Sequence, residues 1–192
     1  MYLSEYLMDA KLSVNPYEIH RELWKVFPGM PLAQRPFLFR WTKGKRGDPL
    51  RVLMLSSVEP DGIGLFAAFT LLRKREFNPC FRQGQMLRFM LRANPVKCLS
   101  GERCRVPLIK EEEQVEWLKR KLSGAAELLD AQPVANDIMY FRKKKERPGK
   151  IVAVTYGGIL RVQSPEGLMG MISNGIGPAK SFGCGMLMVA RA

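Results

Sequence analysis

The chain has 192 residues, 46% of them hydrophobic and 26% charged, which is usual for a globular protein with one large domain or two small ones. No apolar run approaches the roughly 20 residues that a membrane-spanning helix needs, so we expect no membrane partner. The first residues lack a basic stretch followed by an apolar one, so we expect no signal peptide and a cytoplasmic location. Lysine and arginine number 31 against 18 acidic residues, a net charge of +13, which favours a polyanionic partner, with nucleic acid first.

The first half of the chain predicts one helix among several strands. Asn15 is suited to cap a helix that begins at Pro16, because its side chain can accept a backbone N–H and proline fits the first helical position. The predicted elements are a strand at 1–10, a helix at 16–27 and strands at 36–41, 50–57 and 85–93.

The second half repeats this order without a visible sequence repeat. Its first predicted helix is acidic in the first turn and basic in the last, which complements the helix dipole. The predicted elements are helices at 110–122 and 164–175, a hairpin of strands at 137–142 and 150–162, and a closing strand at 184–190.

Each half therefore reads roughly as βαββ(α)β, which predicts an α+β protein of two tandem ferredoxin-like (RRM-like) βαββαβ domains. We expect an N-terminal domain at 1–93, a linker and start of the second domain at 94–110, and a C-terminal domain at 111–192.

The only histidine of the chain, His20, lies on the first predicted helix. Ile19 and Leu23 mark the face expected to be buried, whereas Tyr17, His20 and Arg21 share a different face, so His20 is expected to project away from the core. From this helix alone, a surface or half-buried histidine stacked on the tryptophan one turn later is the simpler interpretation. The alternative is proton chemistry, because a base near neutral pKa lies beside cations in a strongly basic protein.

A run of bases at the tip of the predicted hairpin is the second candidate feature. Arg142, Lys143, Lys144 and Lys145 precede a Pro-Gly turn, and Lys150 follows it. Such a run is most often a solvated loop. On a hairpin it can also lie against a nucleic-acid duplex and contact its phosphates, and shape and backbone contacts dominate the recognition of A-form RNA.

The glycine-rich segment GIGPAKSFGCG is the third feature. Gly175 and Gly177 would let the backbone approach a phosphate, with Lys180 and Ser181 as further donors. A tight turn that packs the preceding helix against the last strand is an equally good interpretation. A nucleotide-binding P-loop is disfavoured, because Ala179 stands where that motif needs glycine.

The four cysteines, Cys80, Cys98, Cys104 and Cys184, show no CxxC spacing, and a second histidine is lacking. We therefore expect no metal site and no cofactor.

Five stretches of the chain, in order from residue 1 to about residue 190, resemble the CasE (Cse3) family of CRISPR RNA-processing endoribonucleases of the type I-E Cascade complex. They are MYLS, NPYEIHRELWKVFP, LRFMLRANPVK, RCRVPLIKEEEQVEWLKRKL and GIGPAKSFGCGML. The resemblance implies tandem ferredoxin-like domains, and as partners the CRISPR repeat hairpin and other Cascade subunits. It also implies cleavage without metal by attack of a ribose 2′-OH, leaving a 2′,3′-cyclic phosphate and a 5′-OH.

The resemblance further implies the site residues. The family's catalytic tyrosine, histidine and lysine fall on Tyr17, His20 and Lys25. The candidate RNA-binding residues are Arg21, Arg142, Lys143, Lys144, Lys145, Lys150, Gly175, Gly177, Lys180 and Ser181. The alternative function is a non-catalytic RNA-binding subunit that holds the guide RNA hairpin, since basic charge and RRM-like units serve it equally well.

Overall fold

A computed structural model describes residues 1–30, 35–45, 47–61, 69–98, 105–142 and 149–192. The chain divides into two compact units. The first comprises Met1–Pro79, Tyr140–Gly149 and Ser181–Gly183. The second comprises Cys80–Met139, Lys150–Lys180 and Cys184–Ala192.

The first unit contains a four-stranded sheet with one described α-helix. Its elements are β1 (Tyr2–Met8), α1 (Pro16–Trp24), β2 (Phe37–Thr42), β3 (Leu50–Ser56) and β4 (Phe69–Glu76). The strand order is β2-β3-β1-β4, and each neighbouring pair is antiparallel. A 3-10 helix at Ala10–Val14 leads into α1.

Helix α1 begins as the sequence predicts and ends earlier. The Asn15 side chain accepts a hydrogen bond from the Tyr17 backbone N–H, which caps the helix. Ile19 and Leu23 are completely buried, so the predicted apolar stripe is confirmed. The helix ends at Trp24 rather than residue 27. The backbone N–H groups of residues 25–27 bond to carbonyls three residues earlier, and Pro28 disfavours helical conformation at residue 27.

The second unit contains another four-stranded sheet, two helices and a small hairpin. Its elements are β5 (Met86–Ala93), β6 (Val96–Cys98), β7 (Arg105–Pro107), α2 (Glu111–Leu122), β8 (Ala126–Phe141), β9 (Gly149–Val162), α3 (Pro165–Asn174) and β10 (Leu187–Arg191). The sheet order is β10-β5-β9-β8, while β6 and β7 pair only with each other. The ends of β8 and β9 at the hairpin, residues 140–141 and 149, belong to the first unit.

The structure differs from the predicted domain boundary at residue 93. Strand β5 pairs antiparallel with both β9 and β10, so residues 86–93 belong to the second sheet. The division of the chain falls between Pro79 and Cys80 instead. An alternating strand pattern does not say which sheet the strand joins, and this is why the boundary was misplaced.

Two strands are longer or more polar than the sequence suggests. Strand β4, which was not predicted, carries four charged side chains in its last four positions and is mostly exposed at the sheet edge. Strand β8 has 16 residues, whereas only 137–142 were expected to be extended. Among the described residues no helix has the length and apolar character needed to cross a membrane.

Candidate active site

Aromatic rings surround the imidazole of His20 in the first unit. Its ring centroid lies 5.6 Å from that of Phe37 and 6.2 Å from that of Phe39, both on β2. Trp24, one turn along α1, meets it edge-on at 6.2 Å. His20 is therefore half-buried, and the expectation that it projects away from the core is only partly right. The helix turns it away from the Ile19 stripe, but β2 covers it.

A hydrogen bond from Trp24 fixes the protonation pattern of the imidazole. The indole Nε1–H of Trp24 donates to Nε2 of His20 at 3.2 Å. A neutral imidazole has one donor and one acceptor nitrogen, so its proton lies on Nδ1. Nδ1 is buried and has no hydrogen-bond partner among the residues that the structure describes. The site therefore contains a buried N–H donor that has no acceptor among the described residues.

Burial and a neighbouring cation keep this imidazole neutral. Burial first and the Arg35 guanidinium second lower the pKa of His20 to about 4. Burial also lowers the pKa of Arg35, whose Nε is buried without a hydrogen-bond partner in the described part of the chain. Buried polar groups normally have partners. Two unmatched donors beside each other fit an anionic acceptor such as a phosphate.

Tyr17 and Phe182 extend the aromatic cluster. The Tyr17 ring lies 5.9 Å from His20 and 5.9 Å from Phe182, and the Phe182 ring lies 4.3 Å from Phe141. Phe141 directly precedes Arg142, the first base of the hairpin run. The end of the glycine-rich segment thus connects the candidate catalytic helix to the base of the hairpin through ring contacts within the first unit.

Asn15 makes a second connection between α1 and the hairpin. Its amide Nδ2 donates to the Arg142 carbonyl oxygen at 2.8 Å. Its Oδ1 accepts from the backbone N–H of Arg142 at 3.4 Å and from that of Tyr17 at 3.3 Å. One side chain therefore caps the helix and anchors the end of β8. The sequence identified only the capping role, because the partner is 127 residues away.

Two cations near His20 in the sequence, Arg21 on α1 and Lys25 directly after it, are exposed and form ion pairs with acidic residues of the helix. Arg21 contacts Glu18 at 2.6 Å, and Lys25 contacts Glu22 at 2.7 Å. Positions 20 and 25 lie about 140° apart around a helix axis. Lys25 therefore lies on a different side of the helix from His20, and Arg35 is the cation whose charge lowers the pKa of the imidazole.

The remaining predicted binding residues fall into three groups. Lys143, Lys144 and Lys145 lie outside the described residues. Arg142 and Lys150 are exposed at the two ends of the hairpin. Ser181 is half-buried in the first unit, next to Phe182.

Helix capping and packing explain two glycines of the glycine-rich segment. Gly175 caps α3 at a φ of 75°, and its N–H donates to the carbonyl of Met171. Gly177 has a φ of 78°, and a Cβ there would lie 2.8 Å from the Trp117 ring. Lys180 Nζ donates to the carbonyl oxygen of Asn174 at 2.6 Å. These contacts favour the tight-turn interpretation of this segment, and RNA contact by these residues stays a prediction.

No group of three or more metal-ligating side chains occurs among the described residues. Cys80 and Cys98 are exposed, and burial raises the pKa of the Cys184 thiol to about 12, so Cys184 is an inert core residue. Cys104 lies outside the described residues.

Comparison with known proteins identifies one protein family. A family described as CRISPR associated protein matches residues 1–191. The chain is 37% identical to the CRISPR system Cascade subunit CasE of Escherichia coli K12, covering 99% of both proteins. It is 35% identical to the CRISPR-associated endoribonuclease Cse3 of Thermus thermophilus, covering 92% of this chain and 90% of the relative.

Solved structures agree with the sequence relatives. The crystal structure of Cas6e from Escherichia coli K-12 has a TM-score of 0.85 at 35% identity, over 100% of both chains. Thermus thermophilus Cse3 bound to an RNA representing a pre-cleavage complex has a TM-score of 0.88 at 31% identity, over 98% of both chains.

The protonation state of His20 can be measured directly, because the chain has one histidine. We expect its imidazole resonances to titrate at a pH of about 4 in the RNA-free protein. An unfolded histidine titrates near 6.5, so as the pH falls through this window the unfolded state binds the proton first and the free energy of unfolding decreases. The variant His20→Gln should lack that part of the pH dependence. Titration of the folded protein near 6.5 would contradict the buried, cation-adjacent environment.

Two substitutions separate the two roles of Asn15. Asn15→Ala removes the cap and should lower the free energy of unfolding by about 1 kcal/mol, measured by urea denaturation. Asn15→Ser keeps a capping oxygen but is too short to reach Arg142. We expect Asn15→Ser to lower the free energy of unfolding less than Asn15→Ala does, because it keeps the cap, while amide hydrogen exchange at Arg142 accelerates in both variants. Equal destabilisation by both substitutions, or unchanged exchange at Arg142, would contradict the double role.

Proposed function

Since this chain belongs to the CRISPR-associated protein family that includes CasE and Cse3, we propose that it is an endoribonuclease that binds the CRISPR repeat hairpin and cleaves precursor CRISPR RNA. The observation that carries the proposal is the environment of His20. A single imidazole on α1 and an arginine just before β2 each carry a buried donor without a partner among the described residues, and α1 is anchored to a basic hairpin.

We infer that each unit is a ferredoxin-like domain. When the four strands of each sheet are numbered in chain order, both sheets have the order fourth, first, third, second: β4-β1-β3-β2 in the first unit and β10-β5-β9-β8 in the second. The neighbouring strands with a described register are antiparallel, as a βαββαβ unit requires. The proposed division between the domains is the one after Pro79.

The proposed reaction needs proton transfer and charge stabilisation. The ribose 2′-OH loses a proton as it attacks the adjacent phosphorus, the 5′ oxygen gains one as it leaves, and the phosphate becomes a 2′,3′-cyclic diester. Because His20 is the only imidazole, one of the two transfers must use another group or water. We assign His20 to protonation of the leaving oxygen, and Tyr17 to orientation of the ribose.

In this proposal, His20 becomes protonated only when substrate binds, because the substrate raises the pKa of the imidazole. A phosphate beside the ring favours the charged imidazolium and raises its pKa. The ring must also release the Trp24 N–H, which occupies Nε2 in the RNA-free chain. That occupied nitrogen is the observation that favours the second candidate, a non-catalytic subunit that only holds the RNA hairpin.

Arg35 is the proposed stabiliser of the negative charge that develops on the phosphorane. The charge of its guanidinium lowers the pKa of His20, and its Nε lacks a hydrogen-bond partner among the described residues. Preorganised cationic donors in a partly dry site stabilise such charge strongly. Lys25 remains a candidate for the same role, once RNA draws its ammonium away from Glu22.

Affinity for RNA is proposed to come from charge at the remaining basic positions. Phosphates of the stem would be contacted by the exposed Arg21, Arg142 and Lys150 and by the run Lys143–Lys145. The RNA backbone would be contacted by Gly175, Gly177, Lys180 and Ser181.

Since the relatives include a Cascade subunit, we propose that the chain joins other subunits of that complex and acts in the cytoplasm.

Replacement of His20 tests the enzymatic proposal against RNA holding alone. We expect His20→Ala to lower the single-turnover cleavage rate of a repeat hairpin by about 10²-fold or more, the typical worth of a positioned acid or base. Affinity for a hairpin with a 2′-deoxy scissile residue should stay close to wild type. The wild type should yield a 2′,3′-cyclic phosphate in EDTA. Undiminished cleavage by His20→Ala would refute the assignment, and no cleavage by the wild type would favour the RNA-holding subunit.

Two variants of Arg35 test its role in charge stabilisation. Arg35→Gln removes the charge and should lower the cleavage rate by about 10²-fold or more, whereas Arg35→Lys keeps the charge and should lose less. Because Arg35 lowers the pKa of His20, Arg35→Gln should also raise that pKa above about 4 in the RNA-free protein, measured by NMR. A normal cleavage rate with Arg35→Gln would contradict the role.

A further inference from the structure

A second concave site lies wholly within the second unit, and none of its residues belongs to the catalytic cluster. It is a cleft of about 430 Å³ between the β6-β7 hairpin, the start of β9 and the glycine-rich segment. That volume is within the range of small-ligand sites. Its lining includes Asn94, Val96, Arg105, Ile109, Lys150 and Ala179.

The walls of this cleft are apolar and accessible. Ile109 is 69% exposed, which is unusual for a large aliphatic side chain, and it faces the cleft together with Val96 and Pro107. Pro178, from the glycine-rich segment, also lines the cleft. Such a surface suits the flat face of an uncharged ring system better than it suits water.

The charge at the mouth of the cleft has one sign. Arg105 and Lys150 are both exposed, and no carboxylate lines the cleft. Neither cation forms an ion pair with a described acidic residue. A ligand with a flat apolar part and an adjacent negative charge would satisfy both the walls and the mouth.

The backbone at the rim is also unusual. Ala179 has a φ of +63°, the only described residue other than glycine in the left-handed region. This conformation costs free energy for alanine and is concentrated at binding and switch sites. It occurs in the segment that forms one wall of the cleft.

We propose that this cleft binds one unpaired nucleotide of the RNA strand that flanks the repeat hairpin. The base would pack on Ile109, Val96 and Pro178, and the neighbouring phosphates would contact Arg105 and Lys150. A base inside a duplex cannot enter, because its faces are stacked on its neighbours, so the occupant is single-stranded. The inference rests on the proposed RNA-processing function and adds a site for RNA outside the hairpin.

Binding of two non-cleavable RNAs tests the proposal. Both contain the repeat hairpin with a 2′-deoxy scissile residue, and one also has single-stranded flanks on both sides. We expect the wild type to bind the flanked RNA at least about fivefold more tightly, because one base leaves water and its phosphates gain two cationic contacts. Arg105→Ala and Ile109→Ser should abolish this difference and leave affinity for the bare hairpin unchanged.

Lys119→Ala is the matched control, since Lys119 is an exposed cation on α2 that does not line the cleft. It should preserve the difference between the two RNAs. In the wild type, 4-thiouridine in the flank should crosslink to the tryptic peptide Val106–Lys110, which contains Ile109.

Three results would overturn the cleft proposal: equal wild-type affinity for the two RNAs, an unchanged difference in Arg105→Ala and Ile109→Ser, or equal weakening of both RNAs by these variants. In each case binding of the bare hairpin by the wild type, and its cleavage of the all-ribose hairpin, leave the proposed function standing. Failure of the wild type to bind either RNA would instead remove both proposals.

Discussion

The packing of one imidazole against the aromatic side chains of β2 is the constraint on which the candidate site depends. Phe37 and Phe39 exclude water from one side of His20, and Trp24 occupies its Nε2. Exclusion of water disfavours the charged ring, and the nearby Arg35 disfavours it further. The RNA-free protein therefore carries a neutral histidine beside an arginine whose Nε has no partner in the described part of the chain.

In the proposed reaction, an RNA phosphate would supply what this arrangement lacks. Its oxygens could accept from Nδ1 of His20 and from Nε of Arg35, and its negative charge would offset the guanidinium that lowers the imidazole pKa. In this proposal His20 holds the proton needed for chemistry only when substrate is present. Asn15 and Phe182 connect this region to the start of the basic hairpin, so that the proposed catalytic residues and the start of the hairpin lie in one unit of the fold.

Local features of this fold could be predicted from the sequence, and long-range ones could not. The Asn15 cap and the buried stripe of Ile19 and Leu23 follow from nearest neighbours along the helix. Membership of β5 in the second sheet depends on pairing with strands about 70 and 100 residues later, which an alternating pattern does not encode. Strand β4 was missed because an edge strand needs few apolar residues.

In the candidate site, too, the sequence predicted local features and not long-range contacts. The helix periodicity correctly separated His20 from the Ile19 stripe, and the segment PFLFRW was correctly predicted to be a strand. Neither pattern says that Phe37 and Phe39 pack over the histidine. Arg35 was overlooked, because a single arginine before a strand has no distinguishing motif, and its importance appears only through its burial beside His20.

The pKa of His20 in the RNA complex tests the central claim most directly. The complex would contain the repeat hairpin with a 2′-deoxy scissile residue, and the single imidazole would be titrated by NMR. The account predicts that the pKa rises from about 4 in the free protein toward or beyond the ordinary value near 6.5, because a phosphate lies against the ring. A pKa that stays at about 4 in the saturated complex would show that His20 does not meet the scissile phosphate.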